Sequence, residues 1–119
     1  VVLGAASDEI GALAGVDDPV GAAKALAGET RLVIARLGAS GAVACSANEV
    51  EAVPGFEVAV VDTVGAGDAF NAGFIAARLR GEVVAEAIRY GNAVAGLTVS
   101  RPGARSSPTR NEVEALLDR

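Results

Sequence analysis

Short apolar runs alternate with longer apolar or amphipathic stretches along the chain. Five short runs have the length and the β-branched content of strands, at residues 1–3, 31–37, 42–46, 49–53 and 57–61. The third and fourth runs are separated by two residues, so they are predicted to form a hairpin.

Helices are predicted between and after these runs. Asp18 and Pro19 supply an N-cap and a first helical residue, so one helix is expected over 19–27, with Gly28 ending it. Further helices are predicted at 7–13, 69–80 and 82–99, and a last one opens at the capping-box sequence 109–112. The 69–80 segment is apolar nearly all round, so it is expected to be buried on several sides.

The order of these elements predicts an α/β fold with a mostly parallel sheet and an antiparallel piece. The chain has 119 residues, begins at Val1 and contains no Met, so it is expected to be part of a larger domain. Hydrophobic residues make up 51% of it, which favours a packed globular structure over disorder.

Charge and composition remove several classes of function. The net charge of -5 argues against a nucleic-acid partner. The absence of His removes His-based acid–base catalysis, and the single cysteine, Cys45, cannot form an intrachain disulfide and is expected in the core. No apolar run reaches the roughly 18 residues of a membrane span, so no membrane partner is expected and the cytoplasm is the default location.

The segment 60–75 carries the chemistry. A predicted strand runs into Gly65-Ala66-Gly67, and a helix is expected to begin at Asp68. Glycines allow unusual backbone angles and close approach of a ligand, and the amides at a helix N-terminus attract phosphate. Asp68 would then take a proton from an attacking hydroxyl while the amides hold charge on the phosphoryl oxygens. The alternative is that Asp68 only caps the helix.

The stretch 62–75, Asp-Thr-Val-Gly-Ala-Gly-Asp-Ala-Phe-Asn-Ala-Gly-Phe-Ile, resembles the C-terminal signature of the ribokinase (PfkB) family of carbohydrate kinases. The resemblance extends over nearly the whole chain. It implies the C-terminal, nucleotide-binding and catalytic portion of a ribokinase-like three-layer α/β/α sandwich, with the N-terminal sugar-binding and lid part absent. It also implies a role for each of several residues.

By this resemblance Asp68 is the catalytic base, and Gly65, Ala66 and Gly67 form the anion hole. The segment 36–41 is similar to the family's strand and turn beside the nucleotide, which implies that Arg36, Gly38 and Gly41 border ATP. The alternative for Arg36 is a solvated strand end. The segment 89–95 resembles the helix that walls the adenine pocket, where Asn92 is either a contact or a polar residue on an open helix face.

The resemblance further implies cation sites. A monovalent cation, usually potassium, is expected at Asp62, Val64, Thr98, Arg101, Gly103 and Ser107. The alternative for Asp62 is that it merely caps the loop. Glu9 matches the acid of a magnesium-linked motif, but Ala6 replaces the Asn of that motif, so Glu9 is also interpreted as a first-turn helix acid. Magnesium would be carried largely by the ATP phosphates and water.

The expected activity is ATP-dependent phosphorylation of a sugar or sugar-acid hydroxyl. The sequence looks most like the 2-keto-3-deoxygluconate kinases, with ribokinase and fructokinase specificity as close alternatives. A kinase-like domain that binds nucleotide without transferring phosphate remains a second reading, and a dinucleotide-binding oxidoreductase is disfavoured because Phe70 stands where its third glycine belongs. The isolated chain is expected to have little activity, and the full-length parent is expected to form a homodimer through its lid.

Overall fold

The computed structural model describes residues 2–6, 15, 18–28, 32–46, 49–101 and 108–118. They form two compact units, Val1–Val53 and Pro54–Arg119. The first unit contains β1 (Val2–Ala6), α1 (Pro19–Ala27), β2 (Leu32–Arg36), a 3-10 turn (Gly38–Ser40), β3 (Ala42–Cys45) and β4 (Val50–Val53). The second contains α2 (Ala66–Leu79), α3 (Val84–Val99) and α4 (Arg110–Leu117).

The first unit is a four-stranded sheet in the order β1-β2-β3-β4. β1 and β2 are parallel, as a crossover through α1 allows, and β2, β3 and β4 pair antiparallel across short turns. The predicted strands at the start of the chain and at 31–37 are confirmed, as is the hairpin. The sheet was expected to be mostly parallel. Among the described strands, however, only β1 and β2 pair in parallel, whereas β2 with β3 and β3 with β4 are antiparallel.

α1 covers one face of this sheet. The Asp18 side chain accepts a hydrogen bond from the Gly21 amide, and Gly28 ends the helix at φ 56°, so both predicted ends are confirmed. Three buried alanines of the helix pack against alternate residues of β2 and β3: Val33, Ala35, Val43 and Cys45. Cys45 is fully buried, as expected for a small core residue. Burial raises the pKa of the Cys45 thiol, and Lys24 opposes that shift.

The second unit is built on the close packing of α2 against α3. Phe70 and Phe74 of α2 are buried, and their rings stack with centroids 6.3 Å apart. α4 packs on α3 through Val113 and Leu116, which form a core cluster with Ala93 of α3. Its predicted capping box is present, because the Thr109 hydroxyl accepts from the Glu112 amide while the Glu112 carboxylate accepts from the Thr109 amide.

Two expectations for this unit are wrong in the described residues. The run 57–61 is not a strand: the amides of Val61 and Asp62 instead donate to the Val99 carbonyl at the end of α3, at 2.7 and 3.0 Å. α2 is buried along one face rather than on several sides, since Ile75 and Leu79 are 55% and 83% exposed. Apolar content predicted burial, but only the face turned to α3 receives it.

The predicted helix at 7–13 lies outside the described residues. None of the helices that the structure does describe is long and apolar enough to cross a membrane.

Candidate active site

The loop before α2 is shaped by one carboxylate and one glycine. An oxygen of Asp62 accepts a hydrogen bond from the Val64 amide at 2.9 Å, which closes a turn. Gly65 follows with φ 81°, a left-handed conformation that residues with a β carbon rarely adopt. Asp62 therefore does cap the loop, and the chain is turned so that Gly65 becomes the N-cap of α2.

α2 begins at Ala66, earlier than the expected start at Asp68. Asp68 is thus an exposed residue in the first turn and not the N-cap, so the reading that Asp68 merely caps the helix is wrong. Its carboxylate makes no hydrogen bond or ion pair with any described residue. The helix starts earlier because the left-handed Gly65 ends the loop there.

The first-turn amides are differently engaged. The Ala66 amide donates to the Thr63 carbonyl at 3.3 Å, and the Ala69 amide closes the first helical hydrogen bond to Gly65 at 2.9 Å. The amides of Gly67 and Asp68 donate to no acceptor within the described residues, as expected for the open end of a helix. These two amides, with the positive end of the helix dipole, can receive an anion beside the Asp68 carboxylate.

The predicted cation ligands are only partly in view. Because the Asp62 amide donates to the Val99 carbonyl, the loop of Asp62 and Val64 lies at the C-terminal end of α3, beside Thr98 and Arg101. The Thr98 hydroxyl donates to the Val94 carbonyl at 2.8 Å, and the Thr98 carbonyl accepts from the Arg101 amide at 3.2 Å. Gly103 and Ser107 lie outside the described residues, as does Glu9. No cluster of three or more acidic or thiol ligands occurs in the described part of the chain.

The end of α3 is joined to the start of α4 by a contact that the sequence did not indicate. The guanidinium of Arg101 forms an ion pair with Glu112, the same residue that completes the capping box of α4. Only the capping half of this arrangement has a local sequence pattern.

Asn92 is buried in α3, with 7% of its surface exposed, and its side-chain amide donates to the Pro54 carbonyl at 3.2 Å. The open-face reading of Asn92 is therefore wrong. Its side chain holds the segment that follows β4 against α3.

The predicted nucleotide segment belongs to the first unit. Arg36 is the half-buried last residue of β2 and pairs with Ala42. Gly38 and Gly41 have φ of 61° and 97°, and the turn is closed by hydrogen bonds between Gly41 and Leu37 (2.8 Å) and between Gly41 and Gly38 (3.1 Å). A β carbon on Gly38 would meet nothing within 4 Å, so its backbone is open to a ligand.

Comparison with known proteins identifies relatives of this chain. The family described as pfkB family carbohydrate kinase matches residues 2–111. An ATP-dependent ribose-1-phosphate kinase of Halopiger xanaduensis is 46% identical over 75% of this chain and 30% of its own length. A 2-dehydro-3-deoxygalactonokinase of Haloferax volcanii is 37% identical over 98% of this chain and 37% of its own length.

Solved structures of kinases share the fold. Ribokinase from Thermotoga maritima superposes with a TM-score of 0.91 at 38% identity, over 99% of this chain and 42% of that one. A ribokinase II from E. coli, in complex with ATP and Mg²⁺, gives a TM-score of 0.87 at 33% identity, over 98% and 39%. The chain thus spans between 30% and 42% of the length of these four relatives.

Proposed function

The chain belongs to the pfkB family of carbohydrate kinases, and from this premise we propose that it carries the phosphoryl-transfer site of an ATP-dependent sugar kinase, with Asp68 as the base. The observation that carries the proposal is the first turn of α2. An exposed carboxylate, engaged with no described residue, lies in the same helical turn as two amides that donate to no described acceptor.

In the proposed reaction, Asp68 accepts the proton of an acceptor hydroxyl as that oxygen attacks the γ-phosphorus of ATP. The bond from the γ-phosphorus to the β,γ-bridging oxygen breaks, and ADP leaves. The amides of Gly67 and Asp68 stabilise the negative charge that grows on the phosphoryl oxygens. Gly65 contributes its left-handed turn, which starts the helix at Ala66, and the Ala66 amide is the weakest contributor because it donates to Thr63.

Nucleotide binding is proposed for Arg36, Gly38 and Gly41 of the first unit. The positive φ of both glycines and the open space at Gly38 support close approach of a phosphate or ribose there. Mg²⁺ would neutralise phosphate charge, held mainly by ATP oxygens and water.

A monovalent cation, with potassium as the first candidate, is proposed beside the anion hole. Asp62 and the carbonyls of Val64, Thr98 and Arg101 are all-oxygen ligands, which hard cations prefer, and the backbone hydrogen bond from Asp62 to Val99 supports their proximity. The Thr98 carbonyl already accepts a backbone hydrogen bond, so it is the weakest candidate of this set.

The acceptor is proposed to be a sugar or a sugar acid, and 2-keto-3-deoxygluconate is the first candidate. The match of the Haloferax volcanii 2-dehydro-3-deoxygalactonokinase over 98% of this chain supports a 2-keto-3-deoxy sugar acid. The higher identity of the ribose-1-phosphate kinase supports a pentose derivative instead. A homodimer of the full-length protein is also proposed.

The experiment is a panel assay of the full-length gene product with ATP and Mg²⁺. Ribose, ribose 1-phosphate, fructose, fructose 1-phosphate and 2-keto-3-deoxygluconate are offered one at a time, and the phosphorylated product is identified by mass spectrometry. The proposal expects ADP and a phosphorylated sugar in equal amounts for at least one acceptor. ATP binding without any phosphorylated product would support the alternative of a degenerate nucleotide-binding domain.

A further inference from the structure

α2 and α3 touch backbone to backbone at one pair of glycines. A β carbon placed on Gly73 would lie 3.1 Å from the Gly91 α carbon and 2.8 Å from the Val94 side chain. A β carbon placed on Gly91 would lie 2.9 Å from the carbonyl oxygen of Phe70 and 3.0 Å from its ring. Contacts under 3.0 Å are essentially absent among real β carbons, so neither position has room for a methyl group.

The Phe70 contact reaches the first turn of α2. Phe70 follows Asp68 by two residues in the same helix, and it is 3% exposed and stacked on Phe74. The atom nearest to a β carbon on Gly91 is a backbone oxygen, which cannot rotate away as a side chain can. Any added volume at Gly91 must therefore push α2 and α3 apart at this point, which shifts the first turn of α2, with the amides of Gly67 and Asp68, relative to α3.

We propose that Gly91 is a positioning residue for phosphoryl transfer. By allowing α3 to touch Phe70, it fixes the depth at which the first turn of α2 sits, and so the place of the Asp68 carboxylate and of the neighbouring amides. This inference rests on the proposed function of that turn. Transfer is sensitive to such placement, because a misplacement of about 1 Å can lower the rate by about 10²-fold.

The same helix supplies a matched control. A β carbon on Gly96 would lie 3.6 Å from Val58, an ordinary van der Waals contact. Gly96→Ala and Gly91→Ala are thus the same chemical change in α3, and only the second presses on α2.

The test uses the full-length gene product with ADP and aluminium fluoride, which together mimic the transferring phosphoryl group without requiring a known sugar. Binding of ADP alone and of ADP with aluminium fluoride is measured by titration calorimetry. For Gly91→Ala we expect the affinity for ADP in the presence of aluminium fluoride, called the fluoride-dependent affinity, to fall by about 10-fold or more. The affinity for ADP alone should stay within about 2-fold of the wild type. Gly96→Ala is expected to match the wild type in both.

A second variant guards against misfolding of Gly91→Ala. Phe70→Leu keeps the Phe70 carbonyl but removes the ring carbons that face Gly91, so it loosens the packing of α2 on α3 from the other side without adding volume. The same selective loss of fluoride-dependent affinity is expected, and this variant decides the matter where Gly91→Ala does not fold.

The inference is overturned if a folded Gly91→Ala, or Phe70→Leu where that variant must decide, keeps the wild-type affinity for both ligands. It is also overturned if the affinity for ADP alone falls equally, because the effect would then not be specific to transfer. A wild-type protein that binds ADP but gains nothing from aluminium fluoride would instead count against the proposed function itself.

Discussion

The guanidinium of Arg101 is paired with the carboxylate of Glu112, so one acidic side chain joins the end of α3 to the start of α4. The other oxygen of Glu112 accepts from the Thr109 amide at 3.0 Å. Arg101 lies immediately after the end of α3, next to the backbone that receives the Asp62 loop. A single residue of α4 thereby stabilises both the helix start and the segment beside the candidate site.

Glu112→Ala is expected to lower the free energy of unfolding by about 1–2 kcal/mol, because it removes the capping box and a partly exposed ion pair. Glu114→Ala is the control. Glu114 also pairs with an arginine, Arg110 at 3.0 Å, but on an exposed helix face, so its loss should cost about 0.5 kcal/mol or less. Urea unfolding measures both, and equal losses would contradict the double role of Glu112.

Gly65 and Gly67 are expected to separate stability from chemistry. Gly65→Ala forces a β carbon into φ 81° and should cost about 1–2 kcal/mol of stability together with activity. Gly67 has a helical backbone, so Gly67→Ala should leave stability unchanged or raise it by up to about 1 kcal/mol. The added methyl group is nevertheless expected to crowd the mouth of the proposed anion hole, so phosphotransfer should fall.

Thermal unfolding and steady-state kinetics of these two glycine variants check this pair. Wild-type turnover in a stable Gly67→Ala protein would show that the first turn of α2 is not part of the transfer site.

Asp62→Asn is expected to weaken activation by potassium by about tenfold, because affinity for a hard cation depends on ligand charge. The asparagine oxygen can still accept from the Val64 amide, so the loop should keep its turn. Asp18→Asn is the control, since it makes the same change at the N-cap of α1. Turnover is measured against potassium concentration, and an unchanged half-activating concentration in Asp62→Asn would argue against this ligand.

The buried thiol of Cys45 is expected to make the fold less stable at alkaline pH. Burial raises the pKa of its thiol above the ordinary value of 9.0, so the folded chain keeps a proton that the unfolded chain loses. The stabilisation is complete below that value and is lost as pH rises through it, by up to about 1.4 kcal/mol per pH unit. The free energy of unfolding, measured in urea, should therefore fall more steeply from pH 8 to pH 10.5 for the wild type than for Cys45→Ala. Parallel pH profiles of the two proteins would contradict this prediction.

Local signals predicted the helix ends and the hairpin well. Asp18, Gly28 and the Thr109–Glu112 box each act through bonds to near neighbours, so the chain carries their geometry in a few residues. The run 57–61 was misread because strand formation needs a partner, and this segment donates to the end of α3 instead. The one-sided burial of α2 likewise depends on which neighbours arrive, and composition alone does not encode them.

The candidate site was predicted in part for the same reason. The Gly-Ala-Gly-Asp turn and its amides follow from local sequence, although the left-handed Gly65 moved the helix start to Ala66. The contact between Gly91 and Phe70 and the pair of Arg101 with Glu112 join residues that are distant in sequence. The small residues of α3 indicated close packing, but no local pattern names their partners.

The measurement closest to the central claim compares Asp68→Asn with the wild-type full-length gene product, using the best acceptor of the sugar panel. Turnover should fall by about 10²–10⁴-fold, since the amide cannot accept the hydroxyl proton, while the dissociation constant for ATP changes by less than about threefold. Asp118→Asn, at the exposed end of α4, should leave both values unchanged. An Asp68→Asn enzyme that turns over at the wild-type rate would contradict the assignment of Asp68 as the base.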